Sequence, residues 1–307
     1  MTKTQWLNAL PKPVAFVLSG GASLGAIQAG MLKALHAAKL YPDLIVGTSA
    51  GALNGVAIAN YGLDEGIHVL EDLWMRLTRE DIFPGGRISQ MRQLLSTRIS
   101  LFPNHRLTDL ICSILSVTQF EELQLPFAAL ATELLTFHGA LFNSGNLRPA
   151  LLASTSIPGI YPPVNINGVM YVDGALTAHV PLAPALKMGA ASLVILDAGE
   201  ICHRQEMPRH IAEMFTSTLQ VAMRQRVRVE APAIAKDVPI LYLPTPCPIT
   251  DATLNFSQSH LLMTQAEEMA TAFLATAPLP TAGKMSGAPH FHEDEPMHQH
   301  TKFVHVE

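Results

Sequence analysis

Ser49 stands at the centre of Gly47-Thr48-Ser49-Ala50-Gly51, a G-x-S-x-G pentapeptide. It directly follows the apolar stretch Leu44-Ile45-Val46 and directly precedes an apolar helical stretch, the setting of a nucleophile elbow. A sharp strand-to-helix turn forces its middle residue into a strained backbone. The glycines two before and two after leave room where side chains would collide. The hydroxyl then stands above the sheet, over the positive end of the following helix. A second strand-to-helix turn, Ser19-Gly20-Gly21-Ala22-Ser23-Leu24-Gly25, offers consecutive backbone N–H groups. Acyl transfer needs such donors for the oxyanion of its tetrahedral intermediate, each worth roughly 3–4 kcal/mol of barrier. The competing reading, a dinucleotide loop, fails on G-x-G-x-x-G because Ala22 holds the middle glycine position. Asp43, the acidic residue about 20 positions on, precedes the second strand instead of ending it, and there is no G-K-[ST].

Asp173-Gly174-Ala175 follows the short apolar run 169–172 and has two readings. It is a turn at a strand end, the commonest use of Asp-Gly, or a carboxylate held in an apolar cleft, where burial raises its pKa and makes it a better base. His179, His210 and His260 come later, so the chain order Ser, Asp, His of a catalytic triad is formally available. A lone histidine is more often structural.

Several elements must position these groups. Residues 14–18 (VAFVL) form a continuous apolar run, as expected of a strand covered on both faces. Leu24, Ile27, Met31 and Leu35 then recur at helical spacing, a second strand lies at 44–46, and a helix occupies 50–60. Strand, helix, strand, helix implies a parallel sheet with right-handed crossovers. Helices are expected at 65–77, 88–95 and 106–115, so that 64–117 reads as a helical insertion or lid. Strands at 127–131 and 135–142, a helix at 147–156, strands at 169–172, 193–196 and 240–243, and helices at 181–188, 211–229 and 259–275 complete the pattern. Residues 1–12 are a lead, 13–277 the domain, and 278–307 a flexible tail rich in proline, histidine and acid.

Composition narrows the function. With 307 residues, 49% of them hydrophobic and 15% charged, the chain can bury a large core. Its net charge of −5 includes no basic block, which argues against nucleic acid as a partner. Cys112, Cys202 and Cys247 lie far apart without metal-ligand spacing and read as reduced thiols. No secretion signal is read at the start, and no apolar run reaches the roughly 18 residues of a membrane span. A cytoplasmic protein is expected, with room for contact at a membrane surface. Trp74, Met75, Phe83, Met91, Leu94, Leu95, Leu101 and Phe102 in the insertion could line an apolar channel or dock on a membrane, though most are expected to pack the core. Arg224, Arg226 and Arg228 read as a solvated helix face. The histidines of the tail, such as His290, His292, His298 and His300, suit weak adventitious metal binding at most, and no metal site is assigned.

The glycine-rich loop at 19–25, the pentapeptide at 47–51 and Asp173-Gly174-Ala175 resemble, in order and spacing, the three blocks of patatin-like phospholipases. Ala153-Ser154-Thr155-Ser156-Ile157-Pro158-Gly159, followed by Pro162-Pro163-Val164, is similar to the segment that leads to the Asp-Gly block in bacterial members. The resemblance covers roughly residues 13–200, with 240–275 completing the sheet. It implies an α/β fold, a mostly parallel central sheet flanked by helices on both faces. It also implies that Ser49 is the nucleophile and Asp173 the general base of a two-residue dyad, with the N–H groups around Gly20, Gly21 and Ala22 as oxyanion hole. The activity implied is hydrolysis of a phospholipid or other fatty-acyl ester without a cofactor. An acyltransferase with the same dyad, or a weakly active or non-catalytic member binding a lipid or a partner, is the alternative. Two departures bear on this: Ala22 replaces a third glycine, and Leu24 stands where the family usually has a cation.

Overall fold

The computed structural model describes residues 9–199, 207, 211–247 and 255–289. Among them runs an eight-stranded sheet of order β5-β6-β3-β2-β1-β7-β8, with β4 paired to β3 off this path. The strands are β1 (Val14–Leu18), β2 (Leu44–Thr48), β3 (Phe127–Glu133), β4 (Gly139–Phe142), β5 (Val164–Ile166), β6 (Val169–Asp173), β7 (Ser192–Leu196) and β8 (Ile240–Tyr242). The expectation of a mostly parallel sheet holds for β3-β2-β1-β7-β8, while β4, β5 and β6 run antiparallel to their neighbours, so the sheet is mixed.

Alternation along the strands explains why their runs are continuously apolar. Phe16, Leu18, Ile45, Val194 and Leu196 enter one core, against α1 (Gly25–Ala37), α2 (Ala50–Arg76) and α10 (Ser259–Thr276). Ala15, Val17, Leu44, Val46, Leu193 and Ile195 enter a second core, with Leu182 and Ala185 of α8 (Leu182–Lys187) and Val227 and Ala231 of α9 (Ile211–Ile234). A sheet buried on both faces has no polar side to display. Layers of helix, sheet and helix result.

The segment expected as a helical insertion, 64–117, starts within α2, which breaks at Gly62 (φ 80°), so that its two halves match the helices expected at 50–60 and 65–77. Beyond it come α3 (Arg79–Ile82), α4 (Arg87–Thr97) and α5 (His105–Ser113). After β4, α6 (Leu147–Ser154) leads to β5, and α7 (Ala175–Ala178) follows β6. The strand expected at 135–142 is shorter, because residues 134–138 form the turn between β3 and β4. Composition assigns 278–289 to the tail, yet these residues lie against the sheet edge. Tyr242 N donates to Ser286 O at 2.7 Å, and Ser286 N donates to Ile240 O at 2.9 Å. A strand edge left bare would carry unpaired amides and carbonyls, and this segment occupies them. The expected tail residues 290–307, Cys202 and His210 lie outside the described residues.

The register on β3 decides where the other strand ends meet. Leu130 pairs with both Thr48 of β2 and Leu141 of β4, while Ala131 pairs with both Ala140 of β4 and Asp173 of β6. A residue has only two ladder edges, and β4 holds one of them at both positions. Strands β2 and β6 therefore share the other edge and meet carboxyl end to carboxyl end. A Cβ at Gly174, just beyond that meeting point, would stand 2.2 Å from the Leu130 carbonyl oxygen, inside contact distance. Gly174→Ala is expected to lower stability by about 1–3 kcal/mol in urea unfolding; an unchanged midpoint would show that this junction is not tightly packed.

Candidate active site

Each piece of the site is held by short-range geometry. Ser49 follows β2 and caps α2 with φ 55° and ψ −123°, a left-handed conformation that L residues rarely hold. The flanking glycines make this turn feasible. A Cβ at Gly47 would stand 2.3 Å from Gly51 O, and one at Gly51 2.4 Å from Ser19 O. The Ser49 amide donates to Ser154 Oγ at 3.1 Å, which ties the turn to the end of α6. Thr48 Oγ1 donates to the Ala178 carbonyl at 3.1 Å. Ala50 and Gly51 open α2, where amides lack intrahelical partners and add positive potential beneath the serine.

Asp173 ends β6 and is 3% exposed. Its Oδ1 accepts from Ala175 N at 2.8 Å, its amide donates to Ser156 O at 2.9 Å, and its carbonyl accepts from Thr132 Oγ1 at 2.9 Å. Burial pushes its carboxyl up to about 7, against downward pulls from a hydrogen bond with the Ser49 hydroxyl and from the Ala175 amide. The contact with Ser49 is loose, for buried Oδ2 has no partner of full hydrogen-bonding geometry. Catalytic contacts often tighten only around substrate. The end-to-end meeting of β2 and β6 is what brings Ser49 and Asp173 together from distant parts of the chain.

The glycine-rich loop requires one correction. The Gly20 amide donates to the His179 carbonyl at 3.0 Å, so it is not free to serve as an oxyanion donor. Gly20 has a steric role instead: a Cβ there would stand 3.2 Å from His179 Nδ1 and 3.5 Å from Ser49 Cβ. Among the described residues, the amides of Gly21 and Ala22 donate to no protein acceptor. Ala22 holds φ 50°, a conformation glycine would adopt without strain. Leu24, where a cation was expected from the resemblance, is buried in the core.

Sequence reading passed over the groups that brace this loop. Gln28 is fully buried on α1, and its Nε2 donates to Ser19 O at 2.9 Å and Leu196 O at 3.0 Å. Its Oε1 accepts from Asn54 Nδ2 at 2.8 Å, and Asn54 Oδ1 accepts from Trp74 Nε1 at 2.9 Å. Asn54 Nδ2 also donates to Gly25 O at 2.9 Å. All the amide hydrogens of both side chains are thus satisfied, which makes the network rigid. A glutamine and an asparagine inside otherwise apolar helical stretches were the available signal.

His179 also lies here, but the carboxylate acting on it is Asp197, not Asp173: its Nε2 is 4.0 Å from Asp197 Oδ1. Burial holds its pKa below the ordinary value, the Asp197 charge pulling the other way, and its Nδ1 has no hydrogen-bond partner. Tyr242 Oη donates to the other oxygen of Asp197.

Above Ser49 opens an apolar groove of about 520 Å³, part of it open to solvent. Ala22, Ser49 and Ala50 form its floor; Leu53, Leu73, Trp74 and Leu77 of the α2 segment, Ile82 and Phe83, Leu107 and Leu110 of α5, Ile157, Tyr161 and Phe256 form its walls. Trp74 and Phe83 thus line it, as the sequence suggested. Phe102 packs against Phe83 and Tyr161, and Leu101 lies against the core. Met75, Met91, Leu94 and Leu95 face solvent. The Tyr161 hydroxyl donates to the Ile82 carbonyl, which pins one wall. Arg226 is exposed and pairs with Glu230 at 3.4 Å, in keeping with a solvated face. Among the described residues no cluster suits a metal ion, and no helix is long and apolar enough to cross a membrane.

A family model described as patatin-like phospholipase matches residues 16–186, a span holding the glycine loop, Ser49 and Asp173. Patatin-like phospholipase domain-containing protein 7 of Mus musculus is 28% identical over 191 residues, which are 61% of this chain and 14% of that protein. An uncharacterized NTE family protein of Mycobacterium tuberculosis is 29% identical over 180 residues, 58% of this chain and 46% of its own. Lysophospholipase NTE1 of Cryptococcus neoformans is 27% identical over 193 residues, 61% of this chain and 11% of that protein. The chain therefore spans less than half the length of these relatives.

Two outcomes are expected from the site's energetics. Gln28→Leu leaves Asn54, Ser19 O and Leu196 O short of partners and is expected to cost about 2–4 kcal/mol in urea unfolding; a neutral result would dismiss the network as a brace. Asp173 is the second. Its pKa is raised on folding from 3.8 to about 7, so its contribution to stability is full below pH 4 and is lost as pH rises through 7. At about 1.4 kcal/mol per unit the loss is at most roughly 4 kcal/mol. Asp173→Asn is accordingly expected to melt above the wild type at pH 8, by less at pH 5, and near it only at about pH 4 and below, measured by calorimetry. The reverse order would mean that the carboxylate is not penalised by burial.

Proposed function

The chain belongs to the patatin-like phospholipase family, and on that premise we propose that it hydrolyses carboxylic esters of lipids through an acyl intermediate on Ser49, with Asp173 as general base. The observation that carries the reading is the buried Asp173 carboxyl, pushed up to about 7, whose Oδ2 has no partner, beside Ser49, which lines an apolar groove. A serine hydroxyl is a poor nucleophile until a base accepts its proton. A carboxylate near its ordinary pKa is a weak base at neutral pH, whereas one near 7 is matched to the task. The fatty-acyl chain lies in the groove, where apolar walls replace water around it.

The steps are set by this arrangement. As Ser49 Oγ attacks the ester carbonyl carbon, its proton passes to Asp173. The carbonyl oxygen becomes an oxyanion facing the amides of Gly21 and Ala22. Collapse of this intermediate expels the alcohol, which takes the proton from Asp173, and leaves the acyl group on Ser49. Asp173 then takes a proton from water as that water attacks the acyl carbon, and release of the fatty acid returns the proton to Ser49. No cofactor enters these steps. The names of the relatives, a lysophospholipase among them, support a phospholipid or lysophospholipid as substrate. Transfer of the acyl group to an alcohol would use the same residues, and product analysis with an added alcohol separates the two reactions.

Ser49→Ala and Asp173→Asn are each expected to lower kcat for a p-nitrophenyl ester by about 10³-fold or more while remaining folded. A fluorophosphonate probe should label wild type and not Ser49→Ala. Because the deprotonated base is the active form, kcat/KM should fall about tenfold per pH unit below 7 and level off above it. His179→Gln should keep most of the activity; a loss equal to that of Asp173→Asn would replace the dyad with a histidine-based mechanism.

A further inference from the structure

Helix α4 is turned inside out. Its polar residues Gln93 and Thr97 are half-buried, with Gln93 Nε2 at 3.5 Å from Ser100 Oγ and Thr97 Oγ1 donating to Ser100 O at 3.2 Å. Among its described side chains, the apolar ones point outward: Met91 is 58% exposed, Leu94 38%, Leu95 73%, and Ile99 just beyond the helix 56%. An amphipathic helix on a protein surface ordinarily turns its apolar stripe to the core. A contiguous stripe left in water marks a face that something else covers.

Position and charge say what covers it. The helix is tied to the groove at both ends. Before it, Ile82 and Phe83 line the groove; after it, Leu101 N donates to Gly159 O at 3.0 Å and Phe102 N to Ile160 O at 2.9 Å, between wall residues Ile157 and Tyr161. From 82 to 108 the sequence has four arginines, Arg87, Arg92, Arg98 and Arg106, and no Asp or Glu, within a chain of net charge −5. Arg92 and Arg98 are exposed and, among the described residues, enter no ion pair. A second copy of the chain seated on this face would oppose arginines to arginines. An anionic partner with an apolar interior meets both demands.

We propose that α4 with Ile99 is a docking surface for a lipid bilayer of net negative charge. The stripe of Met91, Leu94, Leu95 and Ile99 enters the boundary between headgroups and acyl chains, and Arg92 and Arg98 meet lipid phosphates. Docked this way, the groove opens beside the membrane, and a lipid reaches Ser49 with little of its acyl chain crossing water. The inference extends the hydrolase reading of this site, but binding requires no turnover, so the two can fail separately.

The test is co-sedimentation with vesicles of phosphatidylglycerol and phosphatidylcholine in equal parts, beside vesicles of phosphatidylcholine alone. Wild type and Ser49→Ala are expected to bind the anionic vesicles alike and the neutral ones more weakly. M91E/L95E should lose about tenfold or more of this partitioning, and R92E/R98E should lose most of the preference for anionic lipid. Thermal melts report that both double variants fold, as expected for substitutions at exposed positions. The proposal is overturned if wild type stays in the supernatant, if M91E/L95E partitions like wild type, or if that variant only converts a dimer to a monomer on size exclusion. Vesicle binding without ester hydrolysis would leave docking standing and remove the catalytic reading.

Discussion

A carboxylate does not go willingly into a protein interior, and the structure around Asp173 is organised to hold one there. Strand β3 makes this feasible by serving as a splint. Along one of its edges β2 arrives from one direction and β6 from the other, and their carboxyl ends abut at Leu130 and Ala131. The serine leaves the first strand and the aspartate ends the second, so a sheet register sets their meeting. Hydrogen bonds from Thr132 and Ala175 fix the carbonyl and carboxyl of Asp173, while burial keeps water from stabilising its charge. The cost in folding stability and the gain in basicity have one origin, a common compromise where a site demands an unfavourable environment.

The loop proposed to face the oxyanion rests on a different kind of support. A loop with two unengaged amides and an alanine at positive φ has little intrinsic reason to hold its shape. Its rigidity comes from beneath, through the chain from Trp74 to Asn54 to Gln28 and so to the carbonyls of Ser19 and Leu196. Trp74 also lines the groove and stacks near Phe256 at 6.4 Å between ring centroids. One indole thus serves both the wall of the groove and the brace for the turn.

Much of this was legible in the residues, and the exceptions have reasons. The apolar runs at 14–18 and 44–46, the glycines around Ser49 and the helical spacing of Leu24, Ile27, Met31 and Leu35 are local signals, and the structure follows them. The antiparallel β5 and β6 were only half seen, since β5 spans Val164–Ile166 and three residues leave no period to detect. Its turn was written plainly, though, as Asn167-Gly168, both at positive φ, the usual pair for a two-residue hairpin. The loss of Gly20 as a donor could not be read, because its partner is the backbone carbonyl of His179, far along the chain. Residues 278–289 carry a composition typical of a loose end, yet they hydrogen-bond to a sheet edge through backbone groups, to which composition is blind.

The splint has a consequence for how this architecture can vary. Between the end of α2 and β3 the chain wanders through α3, α4 and α5 before returning to the sheet, where Gln124 N and Leu125 N both reach Ala59 O. None of the β2–β3 or β3–β6 pairs involves that excursion, so its length and contents are decoupled from the spacing of Ser49 and Asp173. Whole helices there can be lost, added or recast to meet a different lipid or surface. The chemistry beneath would keep its alignment, as a fixed socket accepts interchangeable fittings.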